Sequence, residues 1–277
     1  MFLWLIIITF AHITKIMSKK LKIKIEDIIS LYNRGYSPTQ IAEKYNCSNT
    51  NITRRLKKEG IHFTRDYSKT RYSRSNRHKI NLNFFKLIDN EIKAYFLGIM
   101  YSDGSVSENQ FYLKLKDEDV IVKFKEALEC DYPIRHNEVP YYNYILEISS
   151  KEMCNDLIKL GCTPNKTKTI NFPDIDPSLY SHFIRGFMDG DGSIIIGKTK
   201  GKCILDFTSA SYDFIIQLKE ILNPIASHIS ICKEYKYDVW HLRCGGKQVK
   251  YILDWLYKDS TVYMNRKYFK YQLLSSL

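Results

Sequence analysis

The 277-residue chain lacks the patterns that mark several common protein classes. It has no run of 18 apolar residues, so we expect no membrane span. Its seven cysteines form no Cys-x-x-Cys pair, and its seven histidines and its acids show no zinc-binding spacing. No glycine-rich nucleotide-binding loop is present, so nothing suggests ATP dependence. We therefore expect reduced thiols, most of them buried, and an intracellular protein in a reducing compartment.

The composition describes a folded protein with an uneven charge. Hydrophobic residues make up 44% and aromatics 14% of the chain, enough for two or three small domains and too much for a disordered chain. Residues 1–90 hold 18 Lys and Arg against 6 Asp and Glu, whereas residues 91–277 hold 24 of each. The net charge of +12 therefore lies in the first third. It predicts a polyanionic partner, nucleic acid before a membrane surface, with a solubilising tail as the alternative.

The first residues resemble neither a membrane anchor nor a signal peptide. The apolar run from Phe2 to Phe10 is too short to span a bilayer and follows no basic segment. Met17 opens a more ordinary start. We therefore expect residues 1–16 to be an upstream mis-start or a disordered tag, and we treat residues 1–20 as a poorly defined N terminus.

Residues 21–60 have the periodicity of three short helices. Residues 24–34 place isoleucines and a tyrosine on one apolar face, and Gly35 would end that helix. Ser37 opens a capping box before a second helix, and Ser48 caps a third that runs through Lys58. This pattern resembles the trihelical helix-turn-helix of resolvases and phage regulators.

A helix-turn-helix would place its third helix in the major groove, with its N-terminal residues at base edges. The contacts expected on DNA are Asn49, Thr50, Thr53 and Arg54. The alternative is a plain three-helix bundle with a solvated basic face. Residues 61–88 follow as a basic linker, in which residues 61–80 hold six Lys or Arg and one acid; we expect it to track phosphates.

The rest of the chain contains an internal repeat. Residues 95–106 read YFLGIMYSDGSV and residues 183–194 read FIRGFMDGDGSI, which places Asp103 and Asp191 88 residues apart. Further matches follow in the same order: 123–126 with 217–220, 147–151 with 243–247, and 164–166 with 264–266. A duplicated domain explains this order, and we assign residues 89–175 and 176–277 to its two halves.

Each half reads as helix, two strands, helix, two strands and helix. The first half predicts helices near 91–102, 118–129 and 151–160, and strands near 104–109, 111–116, 132–137 and 141–149. The second predicts helices near 179–190, 211–222 and 247–257. The predicted fold class is therefore mixed α/β (α+β) with antiparallel sheets.

Small residues recur on one face of the first helix in each half. Gly186 and Gly190 are four residues apart, and Gly98 and Ser102 occupy the matching places. Small residues at this spacing allow two backbones to approach closely. We therefore expect the two helices to pack together about a pseudo-two-fold axis.

That packing would bring Asp103 and Asp191 together at two helix C-termini, where the helix dipole and mutual repulsion disfavour two carboxylates. A divalent cation would resolve both problems, with help from the carbonyls of Ser102 and Gly190. A lone Asp-Gly is usually a turn, but a duplicated one behind a glycine-faced helix is more specific. The cation expected is Mg²⁺, with Mn²⁺ as a substitute.

The segments FLGIMYSDG (96–104) and IRGFMDGDG (184–192) resemble the LAGLIDADG signature. The first copy departs at Tyr101 and Ser102. The resemblance covers about residues 90–277, including the PNKTKTINFP and MNRKYFKY segments. It implies a single-chain homing endonuclease with an N-terminal DNA-binding extension. It also implies two pseudo-symmetric αββαββα halves whose sheets form a saddle over DNA.

The resemblance further implies an activity. The family cleaves both strands of a long asymmetric duplex across the minor groove and leaves 3′ overhangs, by divalent-metal-assisted hydrolysis. Asp103 and Asp191 would be the metal-binding acids, one for each strand, whereas Asp189, whose counterpart is Tyr101, would not be a symmetric ligand. The implied partner is double-stranded DNA, the implied state is a monomer, and the compartment must give access to DNA.

Family members also carry a basic residue near each centre. The repeat-matched candidates are Lys151 and Lys247; the alternatives are Lys166 with Arg266, and Arg243. Alternating strand residues are expected on the DNA face, namely Lys114, Lys116, Tyr144, His241 and Arg243.

Two further hypotheses stay open. LAGLIDADG-like proteins also include intron maturases, which bind structured intron RNA, and regulators that bind DNA without cutting it. A degenerate protein that does not cut would be expected to lose one acid, and this chain keeps Asp103 and Asp191. The acid pair therefore favours the endonuclease.

Overall fold

The computed structural model describes residues 23–34, 36–61, 78–137, 143–197, 199 and 202–275. The chain divides into two compact units, residues 1–70 and residues 71–277. The expectations for residues 1–20, for Gly35 and for residues 62–77 of the linker lie outside the described residues. No helix within the described ranges is long and apolar enough to cross a membrane.

The smaller unit contains the three predicted helices: α1 (Ile25–Asn33), α2 (Pro38–Lys44) and α3 (Asn49–Lys58). The predicted capping box is confirmed, because the Gln40 backbone N–H donates to the Ser37 hydroxyl and the Ser37 N–H donates to the Gln40 side chain. The core of this unit is formed by the buried residues Ile28, Leu31, Ile41, Ala42, Ile52 and Leu56.

The larger unit begins with a half that has the predicted order of elements. Its elements are α4 (Glu91–Ser102), β1 (Gly104–Val106), β2 (Phe111–Leu115), α5 (Glu118–Ala127), β3 (Ile134–Asn137), β4 (Asn143–Ile148) and α6 (Lys151–Lys159). The four strands form an antiparallel sheet in the order β1-β2-β4-β3.

The second half repeats that architecture. Its elements are α7 (Tyr180–Asp191), β5 (Gly192–Ile196), β6 (Cys203–Ser209), α8 (Tyr212–Leu222), β7 (Ser230–Glu234), β8 (Val239–Gly245) and α9 (Lys247–Tyr257), followed by α10 (Asn265–Ser275). Its sheet is antiparallel in the order β5-β6-β8-β7. The predicted mixed fold with two pseudo-symmetric αββαββα halves is confirmed.

Each sheet is covered on one face only, as the side-chain alternation in β2 illustrates. Phe111, Leu113 and Leu115 are buried, whereas Lys114 between them is exposed. Successive residues of a strand point to opposite faces, so one face packs against the helices and the other is open. This arrangement leaves two open sheet faces on a shared helical core.

Candidate active site

Helices α4 and α7 approach to backbone contact through glycine. A Cβ atom placed on Gly98 would lie 2.1 Å from the carbonyl oxygen of Phe183. One placed on Gly186 would lie 2.0 Å from the carbonyl oxygen of Tyr95. Because no side chain fits at these distances, both positions require glycine for the two helices to pack.

The same packing brings the two acidic helix ends together. Asp103 follows the last residue of α4, and Asp191 is the last residue of α7. A Cβ atom on Gly190 would lie 2.2 Å from Asp103 Oδ2 and 1.9 Å from Ser102 Oγ. The Asp103 carboxylate of the first half therefore rests directly on the α7 backbone of the second.

Burial dominates the electrostatics of this acid pair. It raises the pKa of Asp103 above the ordinary range, against the lowering effects of the Ser102 hydroxyl and of Lys267 and Lys166. Asp191 is only partly enclosed and keeps an exposed surface at the end of α7. Burial, followed by the repulsion of Asp103, raises the pKa of Asp191 to about 7. The second contribution shows that the two carboxyl groups lie close enough to repel each other when both are ionised.

The donor set fits an oxygen-preferring cation. Asp103 Oδ2 is buried and has no hydrogen-bond partner, which is costly for a carboxylate oxygen. A cation held by Asp103 and Asp191 would satisfy that oxygen and remove the repulsion, and Mg²⁺ accepts such ligands. The described residues contain no group of three or more His, Cys, Asp or Glu that is arranged to hold a metal ion. Backbone carbonyls, water or a phosphate would therefore have to complete the coordination.

Two buried lysines flank the acid pair at equivalent positions of the two halves. The Lys166 ammonium donates to the carbonyl oxygen of Gly104, at the start of β1. The Lys267 ammonium donates to the carbonyl oxygen of Gly192, at the start of β5, at 2.7 Å, and to that of Asp189 at 2.6 Å. Each ammonium therefore lies at the negative end of its helix dipole.

This geometry corrects the register of the sequence repeat. The matching of residues 164–166 with 264–266 pairs Lys166 with Arg266, but the structure pairs Lys166 with Lys267. Lys267 lies inside the MNRKYFKY segment and is only 2% exposed. The only signal for it in the sequence is a basic residue in each closing segment, because burial cannot be read from a Lys-rich stretch.

The burial of Lys267 disfavours its charged form. Burial lowers the pKa of Lys267 to about 8, although the negative charges of Asp189, Asp103 and Asp191 oppose the change. The two lysines offset part of the negative potential at the helix ends. The pKa values of Asp103 and Asp191 stay raised despite these positive charges, mainly because burial disfavours both charged forms.

The other basic candidates are not buried beside the acids, although Arg266 is near enough to lower the pKa of Asp103. Lys151 and Lys247 are exposed at the starts of α6 and α9. The Lys151 ammonium lies 3.7 Å from the Glu108 carboxylate, in the turn between β1 and β2. The Arg266 guanidinium donates to Asp117 at 2.7 Å.

Asp189 has a structural environment, in line with its exclusion from the symmetric ligands. Its Oδ2 atom accepts from the Tyr95 hydroxyl and from the Met264 backbone N–H, both at 2.8 Å. Its counterpart in the repeat, Tyr101, donates to the Leu160 carbonyl at 2.6 Å. Tyr101 therefore anchors the segment that follows α6, and Asp189 anchors the segment that follows α9.

The sheet registers sort the residues expected on the DNA face. In the first half, Lys114 pairs with Ile145 and Leu115 pairs with Tyr144. Tyr144 therefore shares the covered face with Leu115, and the expectation that it lies with Lys114 on the open face is wrong. The sequence does not give the pairing register of the two strands, and a shift of one residue moves a side chain to the other face of the sheet.

His241 and Arg243 do share the open face of the second sheet. Asp206 lies opposite Arg243 on the neighbouring strand, and Arg243 Nε donates to its carboxylate at 2.9 Å. His241 contacts Asp206 at 3.0 Å and Glu234 at 3.1 Å. Arg243 is therefore partly neutralised by Asp206, and His241 lies between Asp206 and Glu234.

In the smaller unit, the predicted contact residues lie along one side of α3. Asn49, Thr50 and Arg54 are exposed. The side-chain amide of Asn49 donates to Thr39 of α2 at 2.8 Å, and the Thr53 hydroxyl donates to Asn49 at 2.8 Å. Asn49 thus fixes α3 against α2 and leaves its neighbours on the exposed edge.

Comparison with known proteins agrees with the repeat. Residues 178–254 match the family described as LAGLIDADG-like domain. A protein of Methanocaldococcus jannaschii, described as Uncharacterized protein MJ0314, is 30% identical over 144 residues, which cover 48% of this chain and 51% of the relative. The chain therefore spans about half the length of the curated relative it matches.

Several solved structures are similar at low identity. The meganuclease I-SmaMI bound to uncleaveable DNA is 16% identical, with a TM-score of 0.46 over 66% of this chain and 89% of that one. The I-LtrWI LAGLIDADG homing endonuclease bound to target DNA is 12% identical, with a TM-score of 0.45 over 71% and 91%. Full-length DUF199/WhiA from Thermotoga maritima is 13% identical, with a TM-score of 0.46 over 70% of this chain and 64% of that one.

The larger unit is an α+β fold with two pseudo-symmetric halves, each with a four-stranded antiparallel sheet. The LAGLIDADG-like domain matched by the family lies in its second half, residues 178–254.

Proposed function

We propose that this chain is a site-specific, divalent-metal-dependent DNA endonuclease that cuts both strands of a long asymmetric duplex and leaves 3′ overhangs. One observation carries the proposal: Asp103 and Asp191 meet at the ends of two helices in backbone contact, with one buried carboxylate oxygen unpartnered. A structural repeat protein has no use for this costly pair.

In this proposal Asp103 and Asp191 hold the cation, with one acid serving each strand. A bound divalent cation supplies stabilisation of the charge that develops on the phosphate and its leaving oxygen. The raised pKa of Asp191, about 7, means that the carboxylates must give up protons before they bind a cation.

Lys166 and Lys267 are the basic residues we assign to the two centres. Both ammonium groups lie at the ends of the helices that carry the acids. With a pKa of about 8, Lys267 can hold or release a proton near neutral pH. Lys151 and Lys247 remain candidates for phosphate contact from the exposed helix starts.

The smaller unit would add affinity and sequence preference. The exposed residues Thr50 and Arg54 are placed to reach base edges, and Lys57 and Lys58 follow on the same helix to contact phosphates. Residues 21–60 hold eight Lys and Arg against four Asp and Glu, which is part of the basic excess of the chain. The open face of the first sheet would contribute Lys114 and Lys116.

The test is cleavage of a randomised duplex library in Mg²⁺, with captured ends sequenced on both strands. The controls are EDTA, the Asp191→Asn variant and Asp213→Asn, which removes an exposed carboxylate from α8. Ends that require Mg²⁺ and share a long motif and 3′ overhangs support the endonuclease and give its target. They should be lost in Asp191→Asn and kept in Asp213→Asn. Duplex that stays bound but uncut at saturating protein contradicts cleavage and favours a regulator or a maturase, for which structured RNA is the next ligand.

A further inference from the structure

Lys166 lies on the segment that follows α6, and Lys267 lies where the segment that follows α9 enters α10. We call residues 160–172 the first arm and residues 258–267 the second arm; they carry Lys166 and Lys267. Each ammonium contacts the helix end of its own half. The contacts that hold the arms come largely from the other half.

Helix α5 of the first half holds the second arm close to its lysine. The Asp119 carboxylate accepts from the Asn265 backbone N–H at 3.1 Å. The Lys123 ammonium donates to the Tyr263 carbonyl at 2.6 Å and to the Asn265 side chain at 2.9 Å. These contacts end two residues before Lys267.

Helix α4 of the first half holds the same arm further back. Glu91 accepts from the backbone N–H groups of Thr261 at 2.6 Å and Val262 at 3.2 Å. The fully buried Arg185 links them, since it donates to Glu91 at 2.7 Å and to the Val262 carbonyl at 3.0 Å. A buried ion pair of this kind fixes one geometry, because either partner alone is costly.

The first arm is held in the mirrored way by α8 of the second half. The Gln217 side chain accepts from the Phe172 backbone N–H at 2.7 Å. The Ser211 hydroxyl, at the start of α8, donates to the Ile170 carbonyl at 2.7 Å. The buried contacts of the first arm are therefore made by neutral groups, and one exposed ion pair, between Lys168 and Asp238 at 2.7 Å, also joins that arm to the second half.

We propose that each half positions the lysine arm of the other, so that each cutting centre depends on contacts from the opposite half. Asp119 and Lys123 are positioning residues for Lys267, and Gln217 is a positioning residue for Lys166. The inference rests on the proposed function, in which these lysines serve the two centres. Small displacements of a positioned group cost large factors in rate, so mild changes in the arm contacts have a measurable effect.

The first test needs no DNA, metal or activity. Amide hydrogen exchange by mass spectrometry compares the full-length protein with Asp119→Ala, Gln217→Ala and the control Glu126→Ala, an exposed acid on α5. Asp119→Ala is expected to speed exchange in residues 261–268 about three- to tenfold, leaving residues 163–172 unchanged. Gln217→Ala is expected to do the reverse, and Glu126→Ala neither.

The second test resolves the two strands of the target that the library yields. Asp119→Ala is expected to slow the strand whose cutting Asp191→Asn abolishes, about tenfold, with the other strand near the wild-type rate. Gln217→Ala is expected to slow the opposite strand. A merely structural role would slow both strands alike, and thermal unfolding identifies a variant that is globally destabilised.

The outcomes separate the two proposals. If wild-type protein does not cut, the proposed function fails, and the hydrogen exchange alone decides how the arms are held. If exchange rises in the arm of the mutated half, or in neither arm, the cross-half arrangement is overturned. If each variant speeds hydrogen exchange in the arm of the opposite half but slows the cutting of both strands equally, the positioning role is overturned.

Discussion

The two halves of the larger unit share a fold but hold their buried charges differently. In the second half, the segment after α9 is held by an ionic network of Glu91, Arg185, Asp189 and Lys267. In the first half, the equivalent segment depends on the Tyr101 hydroxyl and on Ser211 and Gln217. Both halves therefore bury a lysine at this point, but only the second segment is held by a buried ion pair, that of Arg185 with Glu91.

This difference shows which features the proposed function requires of both halves. The glycine contacts, the acid at the helix end and the lysine at the next strand occur twice. The ionic network occurs once. We assign the duplicated features to the cutting of two strands. The ionic network holds only the second arm, and other contacts hold the first.

The largest effect is expected from the acids. Asp103→Asn and Asp191→Asn each should abolish double-strand cutting, reducing the cut strand's rate by about 100-fold or more because the cation loses a ligand. Duplex binding should remain near wild type, as a gel-shift titration would show. If the halves are equivalent, each variant leaves a nick on the opposite strand; full activity in either variant would remove that acid from the site.

A change at the glycine contacts should reach every function at once. Gly98→Ala and Gly186→Ala each place a methyl group about 2 Å from a backbone oxygen, so we expect a loss of stability of about 1–3 kcal/mol or more. Thermal unfolding measures this loss. The control is Gly245→Ala, where the nearest atom lies at 3.4 Å. Equal melting temperatures for Gly98→Ala and Gly245→Ala would contradict backbone contact between α4 and α7.

The pH dependence should reveal the unequal environments of the two acids. Because the pKa of Asp191 is about 7, against an ordinary 3.8, protons compete with the cation below pH 7. Apparent Mn²⁺ affinity should fall about tenfold for each pH unit below 7 and level off above it. Titrations from pH 5.5 to 8.5 measure this, and Asp191→Asn should flatten the curve. A flat wild-type curve would mean that Asp191 is already ionised at pH 5.5.

The smallest effects are expected in the basic N-terminal unit. Lys57→Ala should weaken duplex binding uniformly and reduce the slope of log K against log salt by about 1. Thr50→Val should leave that slope unchanged and alter base preference by about 1–3 kcal/mol at one position. Binding titrations across salt concentrations and target variants separate the two. Identical behaviour of both variants would remove α3 from the DNA interface.

Local patterns predicted most of the fold. The capping box at Ser37 and the strand alternation around Leu113 are encoded by neighbours in sequence, and both are present as predicted. The paired Asp-Gly segments located the helix ends. These signals survive because capping and amphipathic periodicity depend on few residues.

What the sequence did not show depends on packing between distant segments. Lys267 reads as one more surface lysine and becomes a candidate site residue only because its arm is buried against α7. Tyr144 was assigned to the wrong face because a one-residue difference in register reverses a strand. In the sequence, Arg185 is one basic residue within a motif. In the structure it is fully buried and donates a hydrogen bond to Glu91.

The most direct test of the account is cation binding by the acid pair itself. Electron paramagnetic resonance would follow Mn²⁺ titration of the wild-type protein, of Asp103→Asn/Asp191→Asn and of the control Asp174→Asn/Asp213→Asn. Wild type and control should bind Mn²⁺ alike, and the double variant of the acid pair should bind at least about tenfold more weakly. Unchanged Mn²⁺ binding in Asp103→Asn/Asp191→Asn would contradict the cation site on which the proposed endonuclease depends.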